Sequence, residues 1–146
     1  MALKGSYYTL LLSLVLLGAW LDLASGQSQR RTNDRFLRRH WDNPKTQAPT
    51  STTYCDLQTN ARGLAKKNNI FIHARIALIN NICTTGGTPS IGNQSQSIRR
   101  FRLTVCKLNA DGNTYTERRL ARRIVVSCRN KLPVRLVRII RFRPSV

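Results

Sequence analysis

From Ile98 onward the chain is written with a period of two, and nothing else in the sequence limits its fold as much. Phe101, Leu103 and Val105 alternate with Arg100, Arg102 and Thr104, the signature of a strand with one buried and one solvated face. Ala110-Asp111-Gly112-Asn113 then supplies residues that accept the backbone angles of a tight turn, and Thr114 to Cys128 reads as the returning strand. Leu132 to Val146, LPVRLVRIIRFRPSV, reads as the last one. Its Arg135, Arg138 and Arg141 recur every three residues, a spacing that also suits a cationic amphipathic helix at a membrane; Pro133 and the β-branched content favour a strand.

The first half has a different period. Asp34 to Trp41 reads as a short helix with Phe36, Leu37, His40 and Trp41 along one side, capped by Asn33 or Asp34. Tyr54 to about Arg62 is a second helical stretch ended by Gly63, and Arg75 to Cys83 a third, with Ile76, Ile79, Ile82 and Cys83 facing inward. Asn69 to His73 is a strand between them. Asn43 to Thr53, with Pro44 and Pro49, and the Gly-, Thr- and Ser-rich run Thr84 to Gln96 read as loops. The expected class is α+β: three short helices on a curled antiparallel sheet.

At 146 residues there is room for one domain. Residues 1–26 read as a cleaved secretory signal: Lys4 precedes the apolar run Thr9 to Trp20, too short to span a membrane, and Ala24-Ser25-Gly26 offers small residues at a cleavage point. The domain is therefore expected over 27–146, outside the cell. Lys4 and Asp22 leave together with the leader, so the formal charge of +19 stays on the mature chain. A field of that size attracts polyanions, among them nucleic acid, anionic bacterial membranes and heparan-like glycans. Secretion permits disulfides among Cys55, Cys83, Cys106 and Cys128, with three pairings open, and no CxxC or paired-His spacing suggests zinc. Asn93-Gln94-Ser95 is a glycosylation sequon.

Several short motifs then occur in a telling order: Phe36-Leu-Arg-Arg-His40, Tyr54-Cys55, Arg62-Gly63-Leu64, Lys66-Lys-Asn-Asn-Ile-Phe-Ile-His73, Cys106-Lys-Leu108, Val125-Val-Ser-Cys128 and Leu132-Pro-Val134. Together they resemble the ribonuclease A superfamily over essentially the whole mature chain, and most of all its angiogenin branch. The resemblance implies a monomer with bridges Cys55–Cys106 and Cys83–Cys128. Angiogenins carry a third bridge, whose positions are taken to be Ala65 and Glu117 here.

The resemblance also implies RNA as substrate class and a cofactor-free cleavage by two histidines and a lysine. One histidine takes the 2′-hydroxyl proton, the lysine stabilises charge on the phosphate, and the other histidine protonates the leaving oxygen. His40 matches the first histidine and Lys66 the lysine, with Lys67 beside it. The second histidine falls on Arg135, which stays protonated near neutral pH and cannot act as an acid. His73 matches a structural position. The threonine that reads the pyrimidine edge is Ile70, and the glutamine beside the first histidine is Arg39. Arg39, Lys66, Lys67, Asn69 and Arg135 are thus expected to hold RNA phosphates around a relic centre whose catalysis is lost or strongly reduced.

Overall fold

The computed structural model describes residues 32–141. The leader expected over 1–26, the start of the domain at 27 and the tail beyond Arg141 lie outside the described residues. Helix α1 covers 32–40, α2 Tyr54–Ala61 and α3 Ile76–Asn80, the last continued by a 3-10 turn over Asn81–Cys83. The strands are β1 (Asn69–Ile72), β2 (Gly87–Pro89), β3 (Gln94–Ser97), β4 (Phe101–Leu108), β5 (Tyr115–Arg122), β6 (Ile124–Arg129) and β7 (Leu132–Ile139). All ladders are antiparallel, in two sheets ordered β1-β4-β5 and β2-β3-β6-β7.

The α+β class is as expected, with three helices and antiparallel strands; several segments differ in detail. Thr114 to Cys128 is two strands, because the chain crosses at Arg123 from the edge of one sheet into the middle of the other. Arg123 is fixed at that crossing: its Nε donates to the Ile98 carbonyl (3.0 Å), and its own carbonyl accepts from the Ile140 N–H (2.8 Å). Thr84 to Gln96 is no mere loop, since it contains β2 and the start of β3. The last strand ends at Ile139. Helix α1 already includes Asn33, so neither Asn33 nor Asp34 caps it; Asn33 is buried, and its amide donates to the Pro133 carbonyl at 2.8 Å.

The hairpin turn follows from side-chain chemistry. Asp111 accepts from the Asn113 and Thr114 N–H groups (2.9 and 3.0 Å) and from the Thr114 hydroxyl, while Gly112 takes φ +69°, a conformation that suits a residue without Cβ. Thr53 caps α2, its hydroxyl accepting the Asp56 N–H at 3.2 Å.

The main core gathers Phe36 from α1, Ile72 from β1, Ile79 and Ile82, Phe101 and Leu103 from β4, and Ile124 and Val126 from β6. Most of these are wholly buried, and each such side chain contributes about 1.5–3 kcal/mol of transfer free energy. A second cluster joins Tyr54, Cys55, Phe71 and Cys106. Cys55 is bridged to Cys106 and Cys83 to Cys128. Glu117, read as half of a lost third bridge, serves α2 instead: its carboxylate accepts the Cys55 N–H at 2.8 Å. The chain near Ala65 is held by hydrogen bonds, the Tyr115 hydroxyl accepting from the Lys67 N–H (3.1 Å) and Asn68 Oδ1 from the Leu108 N–H (2.6 Å).

Candidate functional site

His40 ends α1 four residues after Phe36, so both side chains face the core and their rings lie 5.1 Å apart. The imidazole is 8% exposed, and its Nδ1 donates to the Ile70 carbonyl of β1 at 2.7 Å. Burial, with the charges of Arg39 and Arg62 behind it, lowers its pKa from 6.5 to about 4 even though the Ile70 hydrogen bond pulls the other way. The ring is therefore neutral at physiological pH. A carbonyl can only accept, so the proton sits on Nδ1 and Nε2 keeps a lone pair. In this state His40 can take a proton at Nε2 and has none there to give.

Arg39 and Asn69 lock the end of α1 to the start of β1. Arg39 Nε donates to Asn69 Oδ1 (3.2 Å), and Asn69 Nδ2 donates back to the Arg39 carbonyl (2.8 Å). The buried Asn69 amide is largely committed to this exchange, which fixes where the Arg39 guanidinium stands.

Two grooves of ≈ 390 Å³ each adjoin His40, and Arg39, His40 and Leu136 line both. Arg35 and Arg135 contribute to the first; Asn68, Asn69, Ile70, Lys107, Arg138 and Arg141 contribute to the second. The structure thus brings together His40, Arg39, Asn69 and Arg135 from the expected set. Lys66, at φ +62°, and Lys67 are exposed and line neither groove, although the adjacent Asn68 does. Lys107, Arg138 and Arg141 are cations of the second groove that were not expected at the site. One signal for them existed: Arg135, Arg138 and Arg141 repeat every three residues. Along β7 the register slips by one residue at Val137, so Arg135 and Arg138, three apart, are both exposed.

The other histidine is spent elsewhere. His73 bonds through Nδ1 to the Asp42 carbonyl (2.7 Å) and through Nε2 to the Thr104 hydroxyl (2.8 Å), with the Tyr54 ring 5.8 Å away. Burial lowers its pKa. Burial pushes the Asp42 carboxyl up, but hydrogen bonds from Tyr54 (2.6 Å) and Thr46 and the Arg62 guanidinium at 3.7 Å outweigh it and hold the pKa low. The same burial and the Asp42 charge raise the Tyr54 hydroxyl. Trp41 packs against the core and donates to the Ala74 carbonyl at 2.8 Å. Among the described residues no carboxylate or second imidazole lines either groove, and no three His, Cys, Asp or Glu side chains cluster for a metal. Asn93 is exposed between β2 and β3, while Ser95 of its sequon is buried and donates to the Ile82 carbonyl.

The arrangement offers one proton acceptor in a bed of guanidinium and ammonium groups, suited to holding a phosphodiester. Comparison with known proteins identifies the family. The pancreatic ribonuclease family model matches residues 31–137. A ribonuclease of Chelydra serpentina is 38% identical over 109 residues, spanning 69% of this chain and 92% of its own. An angiogenin of Papio hamadryas is 37% identical over 144 residues, spanning 92% and 96%. The crystal structure of green turtle egg white ribonuclease superposes with a TM-score of 0.68 at 36% identity, covering 75% of this chain and 98% of that one.

Proposed function

This chain belongs to the pancreatic ribonuclease family, and from that premise we propose that it is a secreted, strongly cationic, angiogenin-like homologue that binds RNA while cleaving it weakly or not at all. The observation that supports the reading is that His40 and Arg135 line one groove, Arg135 being the residue that the family resemblance sets where a second histidine is expected. Efficient cleavage needs a base for the 2′-hydroxyl proton and a donor for the leaving oxygen, and Arg135 keeps its proton. What it adds is a fork of donors for phosphate oxygens. Arg39, Lys107, Arg138 and Arg141 extend that cationic lining, and the exposed Lys66 and Lys67, outside it, are assigned as further phosphate contacts for a strand leaving it. Ile70 offers an apolar side chain where a pyrimidine edge would be read, so binding is insensitive to sequence.

Secretion rests on the leader expected at 1–26 and is supported by two disulfides, which persist in oxidising compartments. With a net charge of +19, RNA is one polyanion among several, and host defence through anionic bacterial surfaces or heparan-like glycans is the setting we assign. A second reading, weak endoribonuclease, is favoured by one observation: the Nε2 lone pair of His40 is available to take a 2′-hydroxyl proton, with water supplying the other.

A ribonuclease assay on single-stranded RNA separates the two. On our reading the unaltered protein turns over little, and Arg135→His raises the rate about 10²- to 10⁴-fold, the usual worth of a positioned acid. Substantial turnover in the unaltered protein, abolished in His40→Ala, would establish the enzyme reading instead.

A further inference from the structure

A second concentration of charge lies away from His40. Arg75, the residue before α3, Arg99 and Arg100, just before β4, and Arg102, its second residue, line a groove of ≈ 310 Å³ together with Asn43. It shares no lining residue with either His40 groove. Strand β4 separates the two regions: Arg102 lies five residues before Lys107 of the His40 groove, about 17 Å along an extended strand.

The backbone beneath these arginines is tied down. Trp41 Nε1 donates to the Ala74 carbonyl (2.8 Å), the His73 N–H to the Arg102 carbonyl (2.9 Å) and the Ser97 hydroxyl to the Arg99 carbonyl (2.8 Å). Phe101, 2% exposed, anchors the strand between Arg100 and Arg102 and turns both outward. The four guanidiniums make no hydrogen bond or ion pair with any described residue, and the one ion pair among those residues, Arg62–Asp42, is elsewhere. Four unpaired positive charges around one concavity repel each other, and a multiply charged oxyanion would relieve that repulsion while accepting from their guanidinium forks.

We propose that Arg75, Arg99, Arg100 and Arg102 form a second anion site that takes the clustered sulfates of a sulfated polysaccharide. It rests on the polyanion reading above and assigns one polyanion to one place. Nucleic acid fits this groove less well, because base stacking needs an exposed ring: Phe101 is buried, and both His73 nitrogens are occupied. Sulfated sugars ask only for donors.

The test titrates a fully sulfated tetrasaccharide, and separately a single-stranded RNA oligonucleotide, into the protein at 50 mM salt. Arg75→Ala/Arg99→Ala/Arg100→Ala should weaken the tetrasaccharide at least tenfold and RNA less than threefold. Arg118→Ala/Arg119→Ala/Arg122→Ala removes equal charge from β5 and should cost the tetrasaccharide less than threefold. All six side chains are solvent-facing or nearly so, and thermal melts check that each variant folds. Equal losses in the two variants would reduce the effect to net charge and overturn the site; a larger loss for RNA than for the tetrasaccharide would make the groove part of an RNA path and overturn the assignment. RNA binding unaffected by Arg39→Ala/Arg135→Ala/Arg138→Ala would instead overturn the RNA reading of the His40 grooves.

Discussion

Lowering the pH should expose how His40 is held. The imidazole titrates at about 4 in the folded protein against 6.5 when free, so the unfolded chain binds the extra proton first. Folding stability therefore rises with pH between those values and is lost as pH falls from 6.5 toward 4. Integrating the two titrations gives a loss of about 2 kcal/mol at pH 5 and about 3 kcal/mol at pH 4. The perturbation that isolates this is His40→Asn, whose amide can still donate to the Ile70 carbonyl but cannot titrate. Urea unfolding followed by circular dichroism at pH 7, 6, 5 and 4 gives stability for each protein. The lowered pKa of His73 contributes with the same sign in both proteins and cancels in the difference. Asp42, whose pKa is lowered, matters only at more acidic pH. The unaltered protein should lose about 3 kcal/mol more than the variant across this range. Parallel losses would refute the argument, because they would mean that burial does not keep the ring neutral.

Three further outcomes follow from other features. Affinity for single-stranded RNA should fall steeply between 50 and 200 mM salt, with a log–log slope of about −0.7 per phosphate neutralised; a flat response in a titration series would contradict phosphate-dominated binding. Replacing Cys83 and Cys128 together by Ala opens a bridge of sequence separation 45 and should cost about 4 kcal/mol, read as a lower midpoint in thermal unfolding. Glu117→Ala strips the acceptor from the buried Cys55 N–H and should cost about 1–3 kcal/mol, measured by denaturant unfolding, with RNA affinity unchanged.

What the sequence revealed and concealed has physical causes. The β4–β5 hairpin was legible because Asp111 and Gly112 force their turn locally, and the end of α2 because Gly63 stops it; the Thr53 cap at its start emerged only with the structure. Strand β3 was not, because Gln94–Ser97 carries no apolar alternation: its inward residues are Ser95 and Ser97, whose hydroxyls bond backbone carbonyls of Ile82 and Arg99. The break at Arg123 was hidden because no Gly, Pro, Asn or Asp stands between Thr114 and Cys128 to signal it, although the largely exposed β5 gives way there to the consecutively buried Ile124–Ser127 of β6. At the site, motif order brought out His40, Arg39 and Arg135, whereas Lys107 and Arg141 reach the groove from β4 and from the residues after β7, a proximity that only the tertiary fold creates. The exposure of Lys66 likewise depends on how residues 64–68 are hung from Tyr115 and Leu108, partners some 40 residues downstream or more.

The two bridges divide the molecule unevenly: one fastens α2 to β4, the other fastens the 3-10 turn to β6, and neither spans the two sheets. Among the described residues the sheets communicate through the chain connections β1 to β2, β3 to β4 and, at Arg123, β5 to β6, and through a core to which Ile72, Phe101 and Leu103 contribute from one side and Ile124 and Val126 from the other. Cooperativity in this fold is accordingly a property of packing rather than of cross-linking. Thinning that shared core uncouples the halves, and amides of β1 and β4 would then exchange with solvent on a different schedule from those of β6, with both disulfides intact.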